Sequence, residues 1–232
     1  MLARALVIAA VAAGLGPWHA AAQSPQAGSR PVVVELFTSE GCSSCPPADR
    51  LLTELARRPD VLALGFHVTY WNSLGWRDPW SLDAATSRQQ LYAEVLHQAD
   101  LYTPQLVVDG RQALVGSDAQ GAEVAIRRAR PAQAVALALT SDPGGIAVTA
   151  GVGAGEGRIL LFGYDPAHVT AIGRGENAGR TLAEANIVRS VTLAATWRGV
   201  ASRVLLPRPA GERLAAILQA PDGRILAVAT GG

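Results

Sequence analysis

Pro31-Val32-Val33-Val34-Glu35-Leu36-Phe37-Thr38-Ser39-Glu40-Gly41-Cys42-Ser43-Ser44-Cys45-Pro46-Pro47-Ala48-Asp49 is the stretch from which the fold is read. Its first seven residues form a short apolar run rich in β-branched side chains, the pattern of a strand buried on both faces. Residues 38–41 break the run. Pro46 and Pro47 then fall where the first turn of a helix accommodates a ring without an N–H, and Leu51, Leu52 and Leu55 supply a helical apolar stripe. The local order is strand, loop, Cys-x-x-Cys, helix.

Cys42 and Cys45 are the only cysteines in the 232 residues. A thiolate at a helix N-terminus is stabilised by the helix dipole and by free backbone N–H groups, which lower its pKa and raise the reactive fraction. Cys42 is therefore expected to be the exposed nucleophile. Cys45, one turn further in, would attack the mixed disulfide formed on Cys42 and release the substrate. Two alternatives stay open at this level. The reduced pair is also suited to a soft metal such as Cu(I), with His67 completing the shell. A purely structural disulfide within a β-domain interaction protein is the other, although so small a loop would stabilise little. A zinc site would need two further ligands, and His67, His97 and His168 stand as isolated residues rather than at ligand spacing. Thiol–disulfide exchange leads, and it calls for no cofactor and no resident metal.

Outward from this stretch, residues 61–68 read as a second buried strand and residues 69–79 as a loop rich in Trp, Asn, Gly and Pro. Residues 81–99 carry a helical pattern. Tyr102-Thr103-Pro104 leads into an apolar strand that ends at Asp109-Gly110, a strong two-residue hairpin signal, with a return strand over 112–115. Ser117 or Asp118 can cap a last helix running to about Arg130, and Pro131 ends the unit. Beyond it, alternating stretches and the turn signals Asp142-Pro143-Gly144-Gly145 and Pro221-Asp222-Gly223 predict closely spaced strands. The expected fold class is α/β, a first unit over 31–130 followed by a β-rich, sandwich-like C-terminal domain over 131–232.

The first residues read as an export signal: Arg4, an apolar core over 5–16, and Ala20-Ala21-Ala22 as an A-x-A cleavage site. Residues 1–22 would then be removed and 23–30 would be a linker. The apolar run is shorter than the roughly 20 residues needed to span a bilayer, so no stable membrane insertion is expected after cleavage. The mature protein is expected to be periplasmic or secreted, where disulfides persist. A formal net charge of +1 offers no field for nucleic acid, and no nucleic-acid partner is expected. All 20 basic residues are Arg, which excludes a P-loop lysine, a Schiff-base lysine and a Ser-Lys dyad.

Over about residues 30–130 the order of elements resembles the thioredoxin superfamily. The resemblance implies that Pro104 is a cis-proline facing the cysteine pair and that Thr103 offers backbone groups to an extended substrate. Partners would be exported protein thiols or disulfides and a redox partner. More narrowly, Glu35 to Asp49, His67-Val-Thr-Tyr-Trp71, Leu74-Gly-Trp-Arg-Asp-Pro79, Arg88-Gln89 and Arg174-Gly-Glu-Asn-Ala-Gly-Arg180 are similar to a family of secreted bacterial proteins of unknown function with a thioredoxin-like domain. Two departures stand out. Members of that family usually carry Asp at the positions of Thr69 and Asn72. Thioredoxins proper carry a buried Asp six residues before the first cysteine, where this chain has Leu36. Glu35 and Glu40 read as solvated carboxylates. Trp71, Trp76 and Trp80 would either wall a peptide site or wedge their loop onto the core. The Arg174–Arg180 stretch reads as an inter-domain or hairpin loop.

Overall fold

A computed structural model describes residues 30–129 and 132–231. The export signal, the linker up to residue 29, and Pro131 lie outside the described residues. The elements are β1 (Val32–Thr38), α1 (Pro46–Leu55), β2 (Val61–His67), α2 (Asp83–Val95), β3 (Gln105–Val108), β4 (Gln112–Val115) and α3 (Ala119–Ala129). Strands alone follow: β5 (Leu137–Asp142), β6 (Gly145–Ala150), β7 (Gly157–Ala171), β8 (Thr181–Trp197), β9 (Ser202–Leu206), β10 (Arg213–Gln219) and β11 (Ile225–Gly231). The protein is thus α/β, as expected, and the described residues form an eight-stranded mixed sheet, three helices, and a separate antiparallel sheet in the order β5-β6-β9.

The large sheet runs β11-β10-β7-β8-β2-β1-β3-β4, so strands from both halves of the chain share it. β1 and β2 pair in parallel from Val32↔Val61 to Thr38↔His67. The β3–β4 hairpin adds to β1 antiparallel, turning at Asp109 (φ 52°) and Gly110 (φ 66°), the left-handed pair that a two-residue hairpin demands. β8 meets β2 in parallel at the single position Gly65↔Ile187, next to Asn186 in left-handed conformation. The Asn186 amide reinforces that junction by donating to the Ala63 carbonyl at 2.8 Å.

Because side chains alternate along a strand, β1 serves two cores at once. Val32, Val34 and Leu36 pack with Ala48, Leu52 and Leu55 of α1 and Ala122, Ala125 and Ile126 of α3. Val33 and Phe37 face the other way, toward Tyr92 of α2. That second core crosses the sheet through Phe66 and Phe162, whose rings meet edge-on at 5.6 Å. On the reverse of β7 and β10, Ile159, Leu161, Leu214 and Ala216 pack against the small sheet, giving the sandwich-like part.

Helix α2 is shorter than residues 81–99, and its ends explain why. Leu82 is extended and Ser81 spends its hydroxyl on the Asp78 carbonyl, while His97 turns left-handed at φ 54° and stops the helix. Asp118 caps α3 by accepting from the Gly121 N–H at 2.9 Å.

The solvated role expected of Glu35 is overturned. It shares a strand face with Val33 and Phe37, is fully buried, and accepts from Nε and Nη2 of Arg88 and from the Tyr92 hydroxyl at 2.5 Å. Arg88 also donates to the Gln219 side chain at 3.1 Å, tying β1, α2 and β10 together. Removing one member of a buried ion pair leaves the other unpaired, so Arg88→Met is expected to cost about 3–5 kcal/mol in urea unfolding. The double variant Glu35→Leu/Arg88→Met should lose clearly less than the single one, because no charge is then stranded.

Candidate functional site

Cys42 and Cys45 form a disulfide, with Cα atoms 5.4 Å apart, immediately before α1. The Cys45 carbonyl opens the helix by accepting from the N–H groups of Ala48 (2.8 Å) and Asp49 (3.1 Å). Both cysteines are fully buried, which corrects the expectation of an exposed Cys42. The exposed residues of the motif are the two serines between them. The Ser44 hydroxyl lies 3.3 Å from Cys42 Sγ and reaches the Thr103 carbonyl at 3.5 Å.

The Thr103–Pro104 bond is cis. Its loop is held on both sides. Gln89 of α2 donates to the Tyr102 carbonyl (2.8 Å) and to the Gln105 side chain (3.0 Å), and Trp71 donates its indole N–H to Thr103 Oγ1 at 2.8 Å. Gly116 shows how closely this loop backs onto α1. A Cβ there would lie 2.7 Å from Pro104 Cβ, 2.8 Å from Leu36 Cδ1 and 3.0 Å from Ala48 Cβ.

All three tryptophans of the 69–80 loop are fixed through their indole N–H groups rather than lining an open wall. Trp76 donates to Glu40 at 2.7 Å, and Trp80 donates to Thr170 at 3.2 Å while stacking on His168. Glu40 is buried in consequence, again contrary to the solvated reading. Thr69 ties the loop to α2 through the Thr86 hydroxyl, while Asn72 accepts from the Asp78 N–H and donates to the Ser81 hydroxyl.

Beneath the first turn of α1 lies a buried ionisable cluster of Asp49, His67, Asp78 and Glu184, with Glu40 at its edge. His67 Nδ1 is 2.7 Å from Asp78, and its Nε2 is 3.7 Å from Glu184. Burial alone would lower the imidazole pKa, but Asp78 and Glu184 outweigh it and raise it to about 10. Asp78 is held below the ordinary carboxylate range, since His67 overrides the upward push of burial. Asp49 is pushed up to about 6 by burial, opposed by the Thr38 hydroxyl at 2.7 Å. Burial raises Glu184 to about 8, with His67 the main opposing influence. One oxygen of Asp49 and both of Glu184 have no hydrogen-bond partner. Among the described residues, no group of three or more His, Cys, Asp or Glu side chains is arranged to hold a metal ion.

The sequence reading missed Asp49, Gln89 and Glu184 as parts of this site. Asp49 was legible in principle, because four residues on from Cys45 it shares that helix face. Nothing along the chain marks Glu184, which arrives from β8.

A Cys-x-x-Cys disulfide leading into a helix, between the two parallel strands of a mixed sheet, is consistent with a thioredoxin-like fold. The chain belongs to the family described as Protein of unknown function (DUF1223), whose profile matches residues 33–219. Among solved structures it is similar to protein AGR_C_4864 from Agrobacterium tumefaciens, at 27% identity and a TM-score of 0.75, over 88% of this chain and 94% of that one. It also shares a fold with HBP35 of Porphyromonas gingivalis, at 13% identity and a TM-score of 0.57, over 88% and 75% of the two chains. A search among curated proteins returned no match.

The cluster has a measurable signature. Glu184 keeps its proton in the fold up to about pH 8, whereas an unfolded chain releases it near 4.5, so it subtracts stability as pH rises between those values. Glu184→Gln is therefore expected to raise the melting temperature at pH 8 and to change it little at pH 4. Thermal melts across that range check it, and an equal shift at both pH values would contradict the assignment.

Proposed function

We propose that this protein is an exported thiol–disulfide exchange protein acting through Cys42 and Cys45 on the thiols or disulfides of other exported proteins. The observation that carries this reading is the disulfide itself. It joins the chain's only two cysteines directly ahead of a helix, beside a loop that carries Thr103 and Pro104. Helix N-termini favour thiolate, and two-residue spacing lets the second sulfur reach the first without large backbone movement.

In the reducing direction, the Cys42 thiolate attacks one sulfur of a substrate disulfide, and the other substrate sulfur leaves as a thiolate. Cys45 loses its proton and attacks Cys42 Sγ, releasing the second substrate sulfur. The substrate gains two electrons and the pair becomes the disulfide; oxidation of a substrate dithiol is the reverse. Asp49, on the same face of α1 as Cys45 and with one carboxylate oxygen free, supplies the proton acceptor that Leu36 does not. Thr103 would lie along an extended substrate peptide, with Pro104 packed behind it. Because both cysteines are buried, exchange includes a local opening around Cys42.

The expected result is that Cys42→Ser abolishes exchange, while Cys45→Ser accumulates mixed disulfides with exported proteins. Equilibration with glutathione should give a reduction potential above about −300 mV, the range of exchange-competent bonds. A lower potential would return the pair to a structural role. Tight, stoichiometric Cu(I) binding by the reduced protein, without mixed disulfides, would favour the metal reading instead.

A further inference from the structure

The Arg174–Arg180 stretch forms the tip of the β7–β8 hairpin and docks on the cysteine motif. Asn177 is fully buried there, and its side-chain amide donates to the carbonyls of Glu40 and Cys42, each at 2.9 Å. Arg180 holds the other end of that amide at 3.1 Å. Next to it, the Glu176 carboxylate accepts from the Ser43 N–H at 3.0 Å. Gly175 (φ 76°) and Gly179 (φ 79°) give the tip its left-handed turns, and Gly175 lies against Trp76.

A thiolate on Cys42 depends on the N–H groups around the start of α1, and few are free. Pro46 and Pro47 have none. The Cys42 N–H is bonded to the Ser39 carbonyl at 3.1 Å and the Cys45 N–H to the Cys42 carbonyl at 3.2 Å, and the Ser43 N–H is taken by Glu176. That leaves the Ser44 N–H as the one amide of the motif without an acceptor among the described residues. Glu176 also brings a negative charge to the residue next to the nucleophile.

From this arrangement we infer that Glu176 and Asn177 of the second half are part of the exchange site: Asn177 positions the Cys42 loop, and Glu176 sets the thiol's acidity and the pair's reduction potential. The inference rests on the exchange reading above. Glu176 disfavours the Cys42 thiolate in two ways, by repulsion and by occupying a donor the thiolate would use. Destabilising the thiolate destabilises the reduced form, so the tip biases the couple toward the disulfide. The other ionisable groups nearby are Glu40, Asp49, Asp78 and His67, all buried, and Arg180, which is engaged by Asn177; none of their side chains accepts from an N–H of residues 42–45.

Glu176→Gln tests the charge while keeping an acceptor for Ser43, and at this exposed position the substitution leaves the fold intact. The pH profile of iodoacetamide alkylation is measured on the reduced protein, wild type and variant, together with the glutathione equilibrium. The expected result is a downward move of the Cys42 titration and a shift of roughly threefold to tenfold in the equilibrium toward dithiol, scaled down for solvent screening of Glu176. Asn177→Ala, which frees the tip, should shift both readouts in the same direction. A Cys42 titration unchanged in both variants would overturn the inference. The alkylation profile needs no exchange partner, so it decides the role of Glu176 even if the wild-type potential proves too low for exchange, an outcome that would count against the function alone.

Discussion

A carboxylate buried in the middle of a sheet must be paired where it stands, and Glu35 of β1 is such a group. Burying it unpaired would be prohibitive, so the surrounding elements are obliged to bring Arg88, Tyr92 and, through Arg88, Gln219 to it. Those partners come from α2 and β10. The pairing therefore fixes how α2 lies on the sheet and locks strands of the second half to the strand that leads into the cysteines. The Arg88 guanidinium also lies over the rings of Phe66, Tyr92 and Phe162, so the same charge is packed into the apolar core as well as paired.

With β1 and α2 fixed, the loops at one end of the sheet have little freedom. β1 runs into the motif, and Gln89, the neighbour of Arg88, holds the segment around Thr103 and Pro104. β2 ends in His67, whose bond to Asp78 anchors the tryptophan loop, and that loop in turn holds Glu40 and Thr103. The second half closes the site from above with Asn177 and Glu176 and from beneath with Glu184. The candidate site is therefore not the property of the first hundred residues. It is assembled from both halves, which the continuous sheet makes possible.

Strand, motif, helix and hairpin were legible because each is encoded over a few neighbouring residues. Short continuous apolar runs, paired prolines after Cys45 and Asp109-Gly110 act locally, and the structure realises all of them. The burial of Glu35 and Glu40 was not legible, since a carboxylate's partners lie tens of residues away. The shortened α2 follows the same logic: its pattern extended to residue 99, but a left-handed His97 ended it earlier.

The sequence by itself determined the elements, their order, the address of the two cysteines at a helix start, and the switch to strands in the second half. Those features depend on local periodicity, turn chemistry and residue type, which need no knowledge of distant contacts. Tertiary structure alone decided that β8 joins the first sheet beside β2 and carries β7 with it, that Cys42 is buried, and that Asp49, His67, Asp78 and Glu184 share one buried cluster. The physical reason is that pKa, burial and hydrogen-bond satisfaction are set by whatever packs across from a group. Between Cys42 and Glu176, that partner lies more than a hundred residues away along the chain, roughly the span of a whole domain.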